Sequence, residues 1–210
     1  MATAFFGGSF DPPHEGHLGL AVATLASGKT DRVLFAPAYD PPHKPNQKQA
    51  SFADRLSMVK LLIKGHPGLE ACDIESRLAR CPSYTYDVLS ELEKERPDER
   101  LQLLIGSDSL RQLHTWGHAQ ELAEHYEILT WPRPDEQVNA AELSKFWTAR
   151  QIEKLLNGVL FGNFFEISST KIRNNVAKWR KTGHINSGIT PRVWEYIREK
   201  QLYSYIVEKE

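Results

Sequence analysis

The sequence predicts an α/β protein: a mainly parallel sheet covered by helices on both faces. Three observations carry that reading. Short apolar runs alternate along the chain with segments of helical spacing, the order in which right-handed βαβ crossovers follow one another. Two of the runs end in small or polar residues, Gly7-Gly8 and Gly106-Ser107-Asp108, which gathers flexible backbone at the carboxyl ends of strands, where such sheets bind ligands. Finally, two well-separated segments rich in His or in Ser and Thr each follow a strand and start a helix, and a helix N-terminus is an anion site.

The elements follow in order. Residues 3–6 form an apolar run stopped by Gly7-Gly8, a first strand. Leu18, Val22 and Leu25 then recur at helical spacing and predict a helix over 15–26 with Gly28 as its C-cap. Val33 to Ala36 is the second strand, closed by Pro37. The segment 38–50 holds Pro41, Pro42 and Pro45 and is read as loop, because proline offers no amide hydrogen to a helix or a central strand. Ser51 to Asp54 give a helix start ahead of Leu56, Val59, Lys60 and Ile63. Residues 69–74 are assigned an edge strand, 85–95 a helix with Val88, Leu89 and Leu92 on one face, and 101–105 a buried strand. A helix over 118–125 leads into a strand over 126–129, and Trp131-Pro132-Arg133-Pro134 breaks the chain. Residues 140–156 are predicted as one helix and 159–167 as the last strand. Ser168 opens a helix to Lys181, and Thr190-Pro191, an N-cap with proline in the first turn, opens another.

Composition excludes several classes of function. With 26 Lys and Arg against 27 Asp and Glu in 210 residues, the formal charge of −1 gives no general attraction to nucleic acid or anionic lipid. At 40% hydrophobic and 25% charged residues, the chain buries a sizeable core and is not disordered. Cys72 and Cys81 are its two cysteines, so a disulfide framework and a Cys-rich zinc site are excluded and a reducing cytoplasm is expected. No signal peptide is read at the N-terminus, and the longest apolar segment, Leu18 to Ala26, is far short of the roughly 20 residues of a membrane span. A local basic excess runs from Lys171 to Lys181, with five basic residues and no acid. A solvated helix face is the simpler reading of it, since no series of stacking aromatics accompanies it beyond Trp179.

Chemistry is written in two places. The first strand runs into Gly7-Gly8-Ser9-Phe10-Asp11-Pro12-Pro13-His14-Glu15-Gly16-His17. Paired glycines let backbone N–H groups approach a phosphate, the following helix adds the positive end of its dipole, and His14 and His17 share one face with Gly16 leaving room between them. Two alternatives stand beside this: a metal pair, which lacks a nearby third ligand, and two imidazoles that merely cap the turn. The second place is Ile167-Ser168-Ser169-Thr170-Lys171-Ile172-Arg173, where hydroxyls and amides open a helix and Arg173 lies one turn inside. Alone, it reads equally as an N-cap with exposed bases.

Together these segments resemble the nucleotidyltransferase superfamily marked by His-x-Gly-His and Ser/Thr-x-Ile-Arg. Within it the chain resembles the bacterial nicotinate mononucleotide adenylyltransferases. That closer likeness rests on Pro41-Pro42-His43-Lys44, Pro82-Ser83-Tyr84-Thr85, Gly106-Ser107-Asp108 with Trp116, Arg133-Pro134, and the ending Val193-Trp194-Glu195-Tyr196-Ile197 with Leu202-Tyr203. Ser9 stands where many members have Thr, which keeps the hydroxyl. The resemblance implies a single nucleotidyltransferase domain, with a Rossmann-like core over 1–167 and a C-terminal helical portion over 168–210 that carries the second motif. It further implies transfer of the adenylyl group of ATP, with Mg²⁺, to nicotinate mononucleotide, giving deamido-NAD and pyrophosphate in NAD biosynthesis.

By the same resemblance His14, His17 and Arg173 are catalytic. Gly7, Gly8, Ser9, Phe10, Gly106, Asp108, Ser169 and Thr170 join them around ATP, and Lys44, Thr85 and Trp116 hold the mononucleotide. Lys44 contacts phosphate from the opposite side, Asp108 accepts from a ribose hydroxyl, Trp116 stacks on the pyridine ring and Thr85 meets its phosphate or carboxylate. No protein-held metal, nucleic-acid partner or membrane is expected. The phosphate motifs do not choose among acceptors, so adenylyl or cytidylyl transfer to another phosphate acceptor, such as nicotinamide mononucleotide or phosphopantetheine, stands as the alternative, and a non-catalytic nucleotide sensor as another. Trp131, Trp147, Trp179 and Trp194 are assigned to packing.

Overall fold

The computed structural model describes residues 1–39, 49–132, 138–162, 167–182 and 188–204. The Pro41-Pro42-His43-Lys44 and Arg133-Pro134 landmarks lie outside the described residues.

Five strands, β1 (Ala2–Gly8), β2 (Arg32–Pro37), β3 (Leu69–Ala71), β4 (Arg100–Gly106) and β5 (Glu127–Trp131), form one sheet in the order β3-β2-β1-β4-β5. Every pair is parallel. The strands of such a sheet are buried on both faces and so read as continuous apolar runs: Phe5, Leu34, Phe35 and Leu104 are at most 2% exposed. β1 pairs with β2 on one side and β4 on the other, so the chain reverses its direction of travel across the sheet between β1 and β4. The last predicted strand is reduced among the described residues to one parallel bridge, Thr130 to Val159, with 163–166 outside the description.

The helices are α1 (Glu15–Ala26), α2 (Phe52–Ile63), α3 (Ile74–Leu78), α4 (Thr85–Glu95), α5 (Ser107–Gln112), α6 (Ala119–His125), α7 (Ala140–Leu143), α8 (Ala149–Asn157), α9 (Ser169–Thr182) and α10 (Pro191–Glu199). One core packs α1, α2, α9 and α10 on one sheet face, around Phe35, Met58, Val176 and Ile197. The other packs α3 to α8 on the opposite face, around Leu89, Leu103, Leu110 and Leu155. Among the described residues no helix is long and apolar enough to cross a membrane.

Three further expectations change. The edge strand stops at Ala71 and α3 begins at Ile74, so the predicted strand 69–74 ends in a helical turn. The helix predicted over 140–156 is two: Thr148 ends the linker and restarts a helix through a capping box, accepting from the Gln151 amide while the Gln151 side chain accepts from the Thr148 amide. In α1 the buried side chains are Ala21 and Thr24, while Val22 is 41% exposed. That helix is apolar on most of its circumference, so spacing does not select a face, and its small residues let it approach the sheet closely. Thr24 then accepts a hydrogen bond from the Trp131 indole at 2.8 Å.

Candidate active site

A cleft of about 350 Å³ opens beyond the carboxyl ends of β1 and β4, where the strand order reverses. Gly7 and Ser9 from the end of β1, His14 and His17 from α1, Gly106 and Asp108 after β4, Trp116, and Ser169, Thr170 and Arg173 from α9 all line it. Segments some 160 residues apart in sequence thus meet across one opening.

An aromatic layer lies beneath it. Phe10 is 1% exposed and has φ 47, a strained left-handed backbone held by the burial of its ring. That ring meets Phe6 edge-on at 5.4 Å and His17 edge-on at 5.0 Å. Phe10 therefore supports the His17 ring from the core side, and neither it nor Gly8 lines the cleft.

The two histidines cap α1 reciprocally. His14 Nδ1 accepts from the His17 amide at 3.3 Å, His17 Nδ1 accepts from the His14 amide at 3.2 Å, and the rings stack at 3.6 Å. Both Nδ1 atoms act as acceptors, so the proton of each ring sits on Nε2. Burial lowers the His14 imidazole from its ordinary 6.5 to about 4, which keeps it neutral beside the positive helix end. A Cβ on Gly16 would stand 3.0 Å from His14 Nδ1 and 3.3 Å from Ile167 Cβ, so glycine here makes room for the ring and for the approach of the second motif.

That second motif is bonded directly to the first. Ser169 Oγ donates to the Pro12 carbonyl at 2.9 Å, and Arg173 Nη1 donates to the Asp11 carbonyl at 2.6 Å. Arg173 Nη2 also donates to Thr170 Oγ1 at 3.2 Å, which aligns the guanidinium with the first turn of α9. Across the cleft, Gly106 allows the Asp108 carboxylate to fold back over it: a Cβ there would lie 2.6 Å from Asp108 Oδ1. Half-buried Trp116 packs on the α4–α6 core. Thr85 does not line the cleft; it is the first residue of α4, and the preceding Tyr84 ring occupies the space a Gly117 side chain would need, 2.4 Å from the Cβ position. The start of α4 is thereby packed against the residue next to Trp116. Lys44 lies outside the described residues.

Several contacts that hold the site together carry no signal in the motifs. Arg55, 2% exposed, donates from Nε to the Ala50 carbonyl at 3.1 Å, from Nη1 to Ser9 at 2.8 Å and from Nη2 to Ala38 at 2.7 Å. Its sequence signal is position: it occupies the face of α2 that buries Met58, Val59 and Leu62, where an arginine needs buried acceptors. The Gly188 carbonyl accepts the Glu15 amide at 2.9 Å, capping α1 from a distance. Asp11 and Tyr203 join in a buried hydrogen bond at 2.7 Å. Among the described residues no group of three or more His, Cys, Asp or Glu side chains is placed to hold a metal ion.

Two helix starts and a His pair converge on the switch-point cleft of a parallel sheet, an arrangement suited to an anionic ligand, and the fold is that of an α/β nucleotidyltransferase. The comparisons agree. The cytidylyltransferase-like family model matches residues 5–175. A probable nicotinate-nucleotide adenylyltransferase of Synechococcus sp. (strain JA-3-3Ab) is 39% identical over 197 residues, covering 94% of this chain and 92% of its own. One from Idiomarina loihiensis is 35% identical, covering 97% and 100%. Among solved structures, Plasmodium falciparum nicotinic acid mononucleotide adenylyltransferase complexed with APC matches over 99% of both chains with a TM-score of 0.74 at 19% identity, a likeness of fold. The chain belongs to the cytidylyltransferase-like family and, within it, to the nicotinate-nucleotide adenylyltransferases.

Proposed function

We infer that this protein joins ATP and nicotinate mononucleotide, releasing pyrophosphate and forming deamido-NAD in NAD biosynthesis. The observation that carries the reading is the direct bonding of the two phosphate-type motifs, Ser169 to Pro12 and Arg173 to Asp11, on one cleft that also holds Trp116. Family membership at 39% and 35% identity over nearly the whole chain supports the choice of acceptor.

A phosphate monoester is already an anionic nucleophile, so the site needs no Ser or Cys nucleophile and no base. One oxygen of the mononucleotide phosphate attacks the α-phosphorus of ATP. The bond from that phosphorus to the oxygen bridging to the β-phosphate breaks, and pyrophosphate leaves with the electron pair. What the protein contributes is position and compensation of charge. The Nε2–H groups of His14 and His17 would donate to the triphosphate, with Gly7 and Ser9 alongside. Arg173 and the Ser169-Thr170 end of α9 would hold the β and γ phosphates and stabilise the leaving group. As a neutral donor His14 serves without a proton transfer, in keeping with its low pKa.

Asp108, folded over Gly106, would accept from a ribose hydroxyl. Trp116 offers a face for the pyridine ring, and the amides at the start of α4, Thr85 first, would meet its carboxylate or phosphate. Lys44 is proposed as a phosphate contact on its sequence position alone. No cluster of protein ligands fits a resident metal among the described residues. The Mg²⁺ expected with ATP would arrive on the triphosphate oxygens, which is its usual mode, and would neutralise phosphate charge.

The test is a reaction of purified protein with ATP, Mg²⁺ and nicotinate mononucleotide. Equimolar deamido-NAD and pyrophosphate are expected. Absence of both from folded protein would overturn the assignment.

A further inference from the structure

Asp11 lies inside the first motif with no part in the chemistry above, yet it is 2% exposed and stands between both motifs. Its Oδ1 accepts from the Tyr203 hydroxyl at 2.7 Å and from the Ala50 amide at 3.1 Å. Its Oδ2 is 3.8 Å from Arg173 Nη1, too far for a hydrogen bond, while that same nitrogen donates to the Asp11 carbonyl at 2.6 Å. Tyr203, itself 2% exposed, is placed by Arg180, whose Nη2 donates to the Leu202 carbonyl at 2.8 Å.

A buried carboxylate stripped of a donor draws in the nearest cation able to move. Arg55 also feels Asp11, but its Nε, Nη1 and Nη2 already serve three carbonyls. Arg173 is held by one carbonyl and one hydroxyl on a flexible stem. We propose that Tyr203 is a positioning residue for the polyphosphate: its hydroxyl satisfies the Asp11 carboxylate, and so keeps the 3.8 Å Arg173–Asp11 ion pair from closing into a hydrogen bond and leaves Arg173 available to ATP. The chain beyond α10 thereby sets the geometry of a group 30 residues before it. This inference rests on the phosphate role given to Arg173 above.

The test is steady-state kinetics of Tyr203→Phe, which deletes one oxygen. ATP KM is expected to rise about tenfold, the size of one charge-assisted Arg173–phosphate contact weakened, with the mononucleotide KM unchanged. Asp11→Asn removes the charge that would capture Arg173, so in that background Tyr203→Phe should alter ATP KM by less than about twofold. In an Arg173→Ala background Tyr203→Phe should likewise have no further effect. An unchanged ATP KM in Tyr203→Phe, or the same rise with and without Asp11→Asn, would overturn the proposal, as would parallel rises in both KM values with a fall in Tm. If Arg173→Ala alone leaves ATP KM unchanged, the phosphate role of Arg173 fails instead. Should Tyr203→Phe be too unstable to assay, the Asp11→Asn/Tyr203→Phe pair carries the test. A KM near that of Asp11→Asn supports the proposal and a clearly higher one overturns it.

Discussion

The imidazole of His14 accepts the backbone amide of His17 at 3.3 Å, and the imidazole of His17 returns the bond to the amide of His14 at 3.2 Å. Two side chains thus close the first turn of α1 on each other, and the closure fixes which nitrogen of each ring keeps its proton. The cap occupies Nδ1 of each ring, whereas the phosphate donation proposed above uses Nε2. The sequence alternatives of turn cap and catalytic pair are therefore compatible.

Replacing His17 with Ala should lower kcat by about 10² to 10³, the loss typical of one preorganised donor to developing charge. The lost cap should cost about 1 kcal/mol and shift Tm by only about 2–4 °C. Near-normal turnover at saturating substrates would remove His17 from the chemistry.

His14 makes stability depend on pH in a defined direction. Its folded pKa of about 4 lies below the ordinary 6.5, so between those values the unfolded chain binds a proton that the folded chain refuses. The contribution is complete above pH 6.5, declines as pH falls toward 4 and then levels, with a total no larger than about 3 kcal/mol. His14→Asn keeps a capping oxygen without a titrating ring. Denaturant melts at pH 7 and pH 4.5 should therefore show wild type losing about 2 kcal/mol more than this variant. Equal losses in both would refute the assignment of a buried neutral imidazole.

Arg173→Ala should raise ATP KM and lower kcat together, because a guanidinium on polyphosphate strengthens its contact as pyrophosphate leaves. Arg173→Lys should recover only part of the loss: an ammonium cannot bond the Asp11 carbonyl and Thr170 as a fork while facing phosphate. Kinetics of Arg173→Lys indistinguishable from wild type would argue that the fork geometry is idle.

Trp116→Ala should weaken nicotinate mononucleotide binding by about 1–3 kcal/mol, the value of stacking a base on an aromatic side chain, and leave ATP binding nearly unchanged. Calorimetric titration of each substrate separates the two effects. A loss falling equally on ATP would show that Trp116 supports the whole cleft.

How much of this was legible in the sequence depends on range. β1, α1 and the His pair are local: an apolar run, two glycines and a His-x-Gly-His turn announce themselves within 15 residues, and α1 runs over 15–26 as its spacing predicts. The signal of α8 was also local, since Thr148 to Gln151 spell a capping box, but the apolar pattern on both sides of it masked the break. α5 was hidden by Gly106-Ser107-Asp108, which reads as a loop when the helix that follows is only six residues long. The clamp at Arg55 and the Tyr203–Asp11 bond are long-range, the latter spanning 192 residues, and no spacing rule encodes a partner at that distance. For the cleft itself, sequence named the residues on both rims but not the bonds that join them.

The central claim, adenylyl transfer to a pyridine mononucleotide bearing a carboxylate, is tested most directly by kcat/KM for pyrophosphate release from ATP and Mg²⁺ with nicotinate mononucleotide, nicotinamide mononucleotide and phosphopantetheine as acceptors. A carboxylate takes charge-assisted bonds from amide donors, whereas an amide NH₂ turned toward them leaves them unpaired. The account predicts the highest value for nicotinate mononucleotide, above its amide by about two powers of ten or more. Equal values for acid and amide, or turnover with phosphopantetheine alone, would contradict it.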